Sequence, residues 1–418
     1  MIFSKYESYI DSKIEWLPKI PSHWNIDRTK SLFKESIEKT STGKEVLLTV
    51  SHITGVTPRD EKNVYMFLAE DMVGYKLCKK HDLIINTMWA WMGALGFSKY
   101  EGICSPAYNV YRFRSINNHH SKYFEYLFTT PNFIMEMTRF SKGIRPSRLR
   151  LYPSYFFQIK IAFPEKKEQI EISNYLDIKK SQIDKKIECL ENKIKKYEEL
   201  RKTLIEKTLL DLINKDNKKR LKNTVIKLES GSRDKGGAVE EGVLSISAEH
   251  INWKGQFDLS NRKYISPEYY SKMNGGKLKL NDIILTKDGA TLGKTAFISE
   301  LYSKKMAINE HMFLIRISKY YYPKYIYYWF SSQFNYNEIC RCAKNTGVPG
   351  INSNFLNNLF FADIDKKEQI EIANYLDKKT KIIDDIISIM NNQIDTLKEF
   401  GITLINDVVI GKVKIHDE

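Results

Sequence analysis

Lys166 to Asp177 reads KKEQIEISNYLD, and Lys366 to Asp377 reads KKEQIEIANYLD. Eleven of the twelve positions are identical, at an offset of 200 residues. Chance does not produce such a match, so the chain carries an internal duplication. Further on, Ile183, Ile187, Leu190, Ile194, Tyr197, Leu200 and Leu204 return as Ile383, Ile387, Met390, Ile394, Leu397, Phe400 and Leu404. Steps of four and three residues put these side chains on one stripe of an α-helix, the seam of a coiled coil. No proline interrupts either stretch. Each helix is therefore predicted to run for about 45 residues, or roughly 65 Å at the rise of an α-helix. One small domain cannot bury so long a stripe. The two helices are expected to pack on each other, and antiparallel pairing would put the two globular copies at opposite ends.

The globular parts repeat more loosely. Lys122, Tyr123, Tyr126 and Phe128 resemble Lys324, Tyr325, Tyr328 and Phe330, and Asp82-Leu-Ile-Ile aligns with Asp282-Ile-Ile-Leu. Both short runs enter a glycine turn, Gly93-Ala-Leu-Gly96 in one copy and Gly289-Ala-Thr-Leu-Gly293 in the other. Strand-like runs are 46–50, 83–86, 107–113, 243–246, 283–286 and 312–317, and helical patterns cover 122–128 and 324–330. The polar, basic stretch KDNKKRLK at 215–222 reads as the link between the copies. Helices that diverged little beside domains that diverged much imply shared structural work for the first and separate recognition for the second.

The 418 residues suffice for two to four domains, and 42% hydrophobic content supplies real cores. Lys and Arg outnumber Asp and Glu by 66 to 51, which favours polyanion partners such as nucleic acid or an anionic membrane. Abundant Lys, Asn, Ile and Tyr also fit the composition of an AT-rich genome. Five scattered cysteines with no CxxC pair fit neither a disulfide framework nor a zinc site. The absence of an apolar leader or a long apolar run gives the expectation of a cytoplasmic protein without membrane spans.

No stretch of the sequence completes a catalytic motif. Asp288-Gly-Ala-Thr-Leu-Gly-Lys-Thr295 nearly spells a phosphate-binding loop, but Asp288 stands where the first glycine belongs. Pro153-Ser-Tyr-Phe156 fails as the catalytic string of an amino-methyltransferase. Asp363-x-Asp365-x-Lys367 has the flavour of a nuclease metal site, yet it sits where acidic residues suit the start of a helix. The eight histidines form no metal-ligating pair.

What remains is polyanion chemistry. Lys142-Gly-Ile-Arg145-Pro-Ser-Arg148-Leu-Arg150 puts four cations in nine residues around Gly and Pro. Its counterpart, Lys344-Asn345-Thr346-Gly-Val-Pro-Gly-Ile-Asn352, has less charge but many small polar groups. Such loops suit phosphate contacts and base-edge hydrogen bonds. Trp89 and Trp91 are candidates for base stacking, although aromatic side chains at such spacing also form cores. Lys287, Thr291 and Lys294 lie on the second glycine turn and join the candidates for DNA contact.

Taken together, these residues resemble the DNA-specificity (S) subunits of type I restriction–modification systems. The opening motif Trp16-Leu-Pro-Lys-Ile-Pro-Ser-His-Trp24, the strand and turn Asp282 to Lys294, the segment Met92 to Tyr108 and the paired helical repeats carry the likeness along essentially the whole chain. The resemblance implies an α/β fold with two globular target recognition domains separated by a pair of long antiparallel coiled-coil helices, internally duplicated. The expected segments are 1–164 for the first recognition domain, 165–213 for a central helix, 214–364 for the second domain and 365–411 for a distal helix. It implies a non-catalytic subunit, with no active site and no cofactor or metal of its own, acting in phage defence. It would read a bipartite, asymmetric sequence in double-stranded DNA. The helices would act as a ruler and as the platform for two modification subunits, with Ile183, Ile187, Leu190, Ile194, Ile383, Ile387, Met390 and Ile394 forming the pairing seam. S-adenosylmethionine, ATP and magnesium would belong to the modification and restriction subunits.

Overall fold

Leu83–Asn86 and Ile283–Thr286 are buried at all four positions, the pattern of a strand covered on both faces. Each is one of the two inner strands of an antiparallel four-stranded sheet. In one copy the order is Phe33–Ser36, Tyr108–Phe113, Leu83–Asn86, Leu95–Phe97. In the other it is Val225–Ser230, Met312–Ile317, Ile283–Thr286, Thr295–Phe297. A second sheet accompanies each and contains one parallel pair, Leu47–Ser51 with Gly102–Cys104 and Val243–Ile246 with Met306–Ile308. The computed structural model describes residues 4–61, 71–144, 148–214, 216–232, 239–343 and 350–415. Two compact units result: residues 1–190 with 392–418, and residues 191–391.

Both units share one buried ion pair. Asp82 is 1% exposed and receives Nε and Nη2 of Arg112, each at 2.8 Å, and the backbone N–H of Lys79 at 2.8 Å. Asp282 is fully buried and receives the same atoms of Arg316 at 2.7 and 2.6 Å and the Lys279 N–H at 2.7 Å. The carboxylate raises the proton affinity of each guanidinium further, so both stay charged. The residue before each aspartate, His81 or Asn281, takes a positive φ of 70° or 67°, which its polar side chain tolerates better than a branched one. The duplicated aspartate before each apolar run thus marks a turn locked onto its own sheet.

The long helices span Lys166–Leu210 and Lys366–Val409. Each contributes one half to each unit. In the first unit, Ile172 and Leu176 share a core with Leu404 and Val408, and Ile183 approaches Gly401. In the second, Ile205 and Leu209 share a core with Ala373 and Leu376, and Arg201 Nε lies 3.2 Å from Asp384. Numbers rise on one helix as they fall on the other, so the pairing is antiparallel in both units. Ile383, Ile387 and Ile394 are buried, while Met390, Ile183, Ile187, Leu190 and Ile194 are half-buried. The seam departs from the expected stripe at Leu200 and Phe400, which are 51% and 36% exposed. Near the end of the first helix, burial has shifted to Ile205 and Leu209, which face the domain rather than only the partner helix.

The repeated dodecapeptide does something other than pair helices. Gln169 and Gln369 are buried; their side-chain oxygens accept the N–H of His120 and Tyr322, each at 2.8 Å, and their amides donate to the carbonyls of Pro164 and Ile364. Asp177 and Asp377 accept the hydroxyls of Tyr126 and Tyr328 at 2.5 and 2.6 Å. Burial, then the carboxylate bond, pushes both hydroxyls far above the usual tyrosine range, so each remains a donor. Lys166 and Lys366 cap backbone carbonyls at 116–117 and at 319. The identical residues therefore dock each helix onto its own domain, and buried polar groups of this kind tolerate little substitution.

The basic stretch 215–222 is not wholly a linker. Lys218–Arg220 is a strand paired with Phe360–Ala362, and Leu221 is buried. Lys219 reaches Asp363 at 2.7 Å, and Lys218 and Arg220 lie over the Phe360 ring. Pairing consumes the lysine stems, which is why charge alone misleads there.

Candidate nucleic-acid interface

In the first unit the described candidate residues lie near the end of the inner strand Leu83–Asn86. The strand Leu83–Asn86 ends at Thr87, and a short turn of 3₁₀-helix follows at Ala90–Met92. Gly93 closes that turn with φ 79°, and its equivalent Gly293 has φ 88°. A side chain at Gly93 would meet Ile134 at 2.8 Å. Trp89, 48% exposed, and the partly buried Trp91 lie nearly parallel, with ring centres 6.4 Å apart. The Trp91 indole donates to the Met88 carbonyl at 3.1 Å. Two nearly parallel indoles thus stand at the end of that strand, one of them exposed.

The basic loop lies beside it. Lys142 and Arg150 exchange two backbone hydrogen bonds of 2.9 Å, pinching the loop at its base. Gly143 fits this pinch because a Cβ there would stand 2.5 Å from the Arg148 carbonyl. The Leu151 N–H then bonds to the Thr87 carbonyl at 3.2 Å, joining the loop to the tryptophan turn. Lys142 Nζ sits 5.0 Å from the centre of the Tyr155 ring. Arg148 and Arg150 are exposed and hold no side-chain partner among the described residues. Arg145 lies outside the described residues.

The second unit repeats the joint with different side chains. The Ile351 N–H bonds to the Lys287 carbonyl at 2.9 Å, and Asp288 bridges to Gly350. Leu151 with Thr87 and Ile351 with Lys287 are the same bond, 200 residues apart. Lys287 Nζ reaches Ser230 Oγ at 3.3 Å, and Asp288 accepts His311 Nδ1 at 2.7 Å. Thr291 is half-buried in the turn. Lys294 Nζ bonds to the Ala248 carbonyl at 3.3 Å and lies 5.7 Å from the Trp253 ring centre. Asn352 caps the helix Ser353–Asn357, accepting the Phe355 N–H at 2.9 Å. Lys344, Asn345 and Thr346 lie outside the described residues.

The near phosphate-binding loop connects two antiparallel strands, Ile283–Thr286 and Thr295–Phe297. A phosphate loop needs a helix after it, whose first N–H groups hold the anion, and a strand stands there instead. Of the nuclease-like carboxylates, Asp363 is paired with Lys219, and Asp365 accepts the Lys367 N–H at 2.9 Å at the start of the helix. Among the described residues, no group of three or more His, Cys, Asp or Glu could hold a metal ion, and no helix is long and apolar enough to cross a membrane. Sequence reasoning missed the exposed Trp253 and the bond between loop and turn. The 200-residue offset was the signal for that bond, once applied to loops as well as helices.

No protein-family model matches the sequence, and no curated protein matches it either. Solved structures do match. One is a chain from work described as the structural basis of complex assembly and conformational transition of the type I R-M system. It is 14% identical with a TM-score of 0.71, and the match covers 93% of this chain and 98% of that one. The chain has the fold of a type I S subunit. The HsdS subunit from Thermoanaerobacter tengcongensis agrees, at 14% identity and a TM-score of 0.57, over 94% of this chain and 98% of that one. In this S-subunit fold, the long helices and both α/β domains are matched elements, since nearly the full length of each chain is covered.

Proposed function

We propose that the chain is the DNA-specificity subunit of a type I restriction–modification system. Each α/β domain reads one half of a bipartite, asymmetric site in double-stranded DNA. The paired helices set the spacing and seat two modification subunits, and restriction subunits join that assembly. Chemistry resides on the partners, with S-adenosylmethionine on the modification subunits and ATP and magnesium on the restriction subunits. The observation that carries this reading is the repeated joint between loop and turn. One backbone bond recurs in both copies, yet it presents Trp89, Trp91, Arg148 and Arg150 in the first and Lys287, Thr291 and Lys294 in the second. Equal frames with unequal side chains suit a reader of two different half-sites, which a two-fold symmetric homodimer cannot be.

Mapping methylated adenines in a host that expresses the chain with a modification subunit tests the proposal. The expected result is one asymmetric motif in two parts. Methylation by the purified chain alone, or none that depends on it, would overturn the reading. Within the assembled complex, Arg148→Ala with Arg150→Ala should lower affinity and reduce the slope of log affinity against log salt by about 2. An unchanged slope would remove that loop from the interface.

A further inference from the structure

The second unit holds a cleft of about 460 Å³, within the size range of small-ligand sites. Its floor is apolar: Ile205 of the first long helix and Phe330 are both buried. Trp253, 57% exposed, forms one wall, and Tyr336 meets it edge-on with ring centres 5.7 Å apart. An exposed indole over an apolar floor is a platform for a flat ring.

Cations stand beside that platform. Arg201 and Lys254 are already engaged with Asp384, at 3.2 and 3.5 Å. Two others are available. Lys202 is exposed and has no side-chain partner among the described residues. Lys294 keeps only a 3.3 Å contact with a carbonyl and lies 5.7 Å from the indole centre. Glu198 is the opposing carboxylate on the lining.

The first copy lacks this chemistry. Gly55 and Gly255 both have positive φ, and the bond from Asn86 N–H to Ala94 O recurs as Thr286 N–H to Lys294 O. By that equivalence, Ile53, Thr54 and Ala94 occupy the places of Trp253, Lys254 and Lys294. A shared structural need would have kept the same residue types in both copies.

We propose that this cleft binds a nucleotide, with its base against Trp253 and its phosphate on Lys294 and Lys202. This goes beyond half-site reading, with which it shares only Lys294. The nucleotide is a free one, and a nucleotide held in a DNA strand is told apart from it by the test. Calorimetry on the full chain with adenosine monophosphate, inorganic phosphate and a short single-stranded oligonucleotide is the test, with indole quenching in wild type against W253F as a second readout. Saturable binding of the monophosphate but not of inorganic phosphate supports a free-nucleotide site. Binding of the oligonucleotide alone would be the DNA contact of the proposed function and would overturn the free-nucleotide site. With the monophosphate bound, W253A and K294A should weaken binding by about tenfold, and W253F should retain most of it. K202A, at an exposed residue, guards against a folding artefact in K294A. Binding of neither nucleotide, phosphate binding as well as the nucleotide, or indifference to W253A and K294A would overturn the proposal.

Discussion

Where the first domain meets its long helix, the chain reads His119-His120; at the same place in the second domain it reads Tyr321-Tyr322. The backbone is indifferent to the exchange, because Gln169 and Gln369 accept the N–H of His120 and Tyr322 at the same 2.8 Å. The surroundings are not indifferent. In the first unit the segment 4–24 closes over the helix start: Glu168 accepts Tyr6 Oη at 2.7 Å, contacts His23 Nε2 at 2.8 Å and meets the Trp24 indole at 3.3 Å. In the second unit the equivalent Glu368 is exposed. The second unit has its own addition, the pairing of Lys254 and Arg201 with Asp384, for which the first offers only Thr54, Gly401 and Asp184. Duplication has kept the hydrogen bonds that fasten helix to domain and released nearly everything around them.

The comparison breaks most visibly if the shared ion pairs are unequal. Asp82→Ala and Asp282→Ala each remove the buried carboxylate that ties an arginine to the turn, and should each cost about 3–5 kcal/mol in chemical denaturation, even though Arg112 keeps Glu38 at 2.9 Å. A large loss from one and a small loss from the other would refute the equivalence of the two frames. The seam should respond unequally. Ile387 is 4% exposed whereas Ile187 is half-buried. We expect Ile387→Asp to cost about 3 kcal/mol or more and Ile187→Asp about 1–2, read from helicity by circular dichroism and from the denaturation midpoint. Normal assembly of both variants with modification subunits would count against the platform role.

The smallest effect concerns pH. Burial, then repulsion from Lys166, holds His119 below the usual histidine range, and the same two causes act on His120. The folded first unit thus favours neutral rings, while the unfolded chain takes up protons at a pH of about 6.5. Stability present above that value should be lost as pH falls below it. Hydrogen exchange should show the first unit loosening before the second between about pH 6.5 and 5.5. His119→Tyr with His120→Tyr should flatten that difference. Equal loosening of the two units would assign the acid response elsewhere.

The duplication, the two long helices and the inner strands were legible because each follows a periodicity. Strands 83–86 and 283–286 form where their apolar runs stand, and the helices depart from expectation at their ends and in the seam at Leu200 and Phe400. The role of the dodecapeptide was not legible. Gln169 and Asp177 look like ordinary solvated helix positions until His120 and Tyr126, some 50 residues earlier in sequence, close on them. The basic strand 218–220 was hidden for the same reason, its lysines being neutralised by Asp363 and the Phe360 ring, far away in sequence. Among the interface candidates, sequence located the loops, and only the fold showed that Asn352 is also a helix cap and that Lys294 borders a cleft.

The Lys414 N–H bonds to the Ser4 carbonyl at 3.0 Å, and the Tyr9 hydroxyl reaches the carbonyl of Lys412. Positions about four hundred residues apart along the backbone are therefore neighbours within the first unit. A circularly permuted protein, joined across positions 4 and 414 and opened between the first long helix and the strand at 218, would keep every helix–domain joint intact. Which copy comes first is then a matter of gene order rather than of architecture.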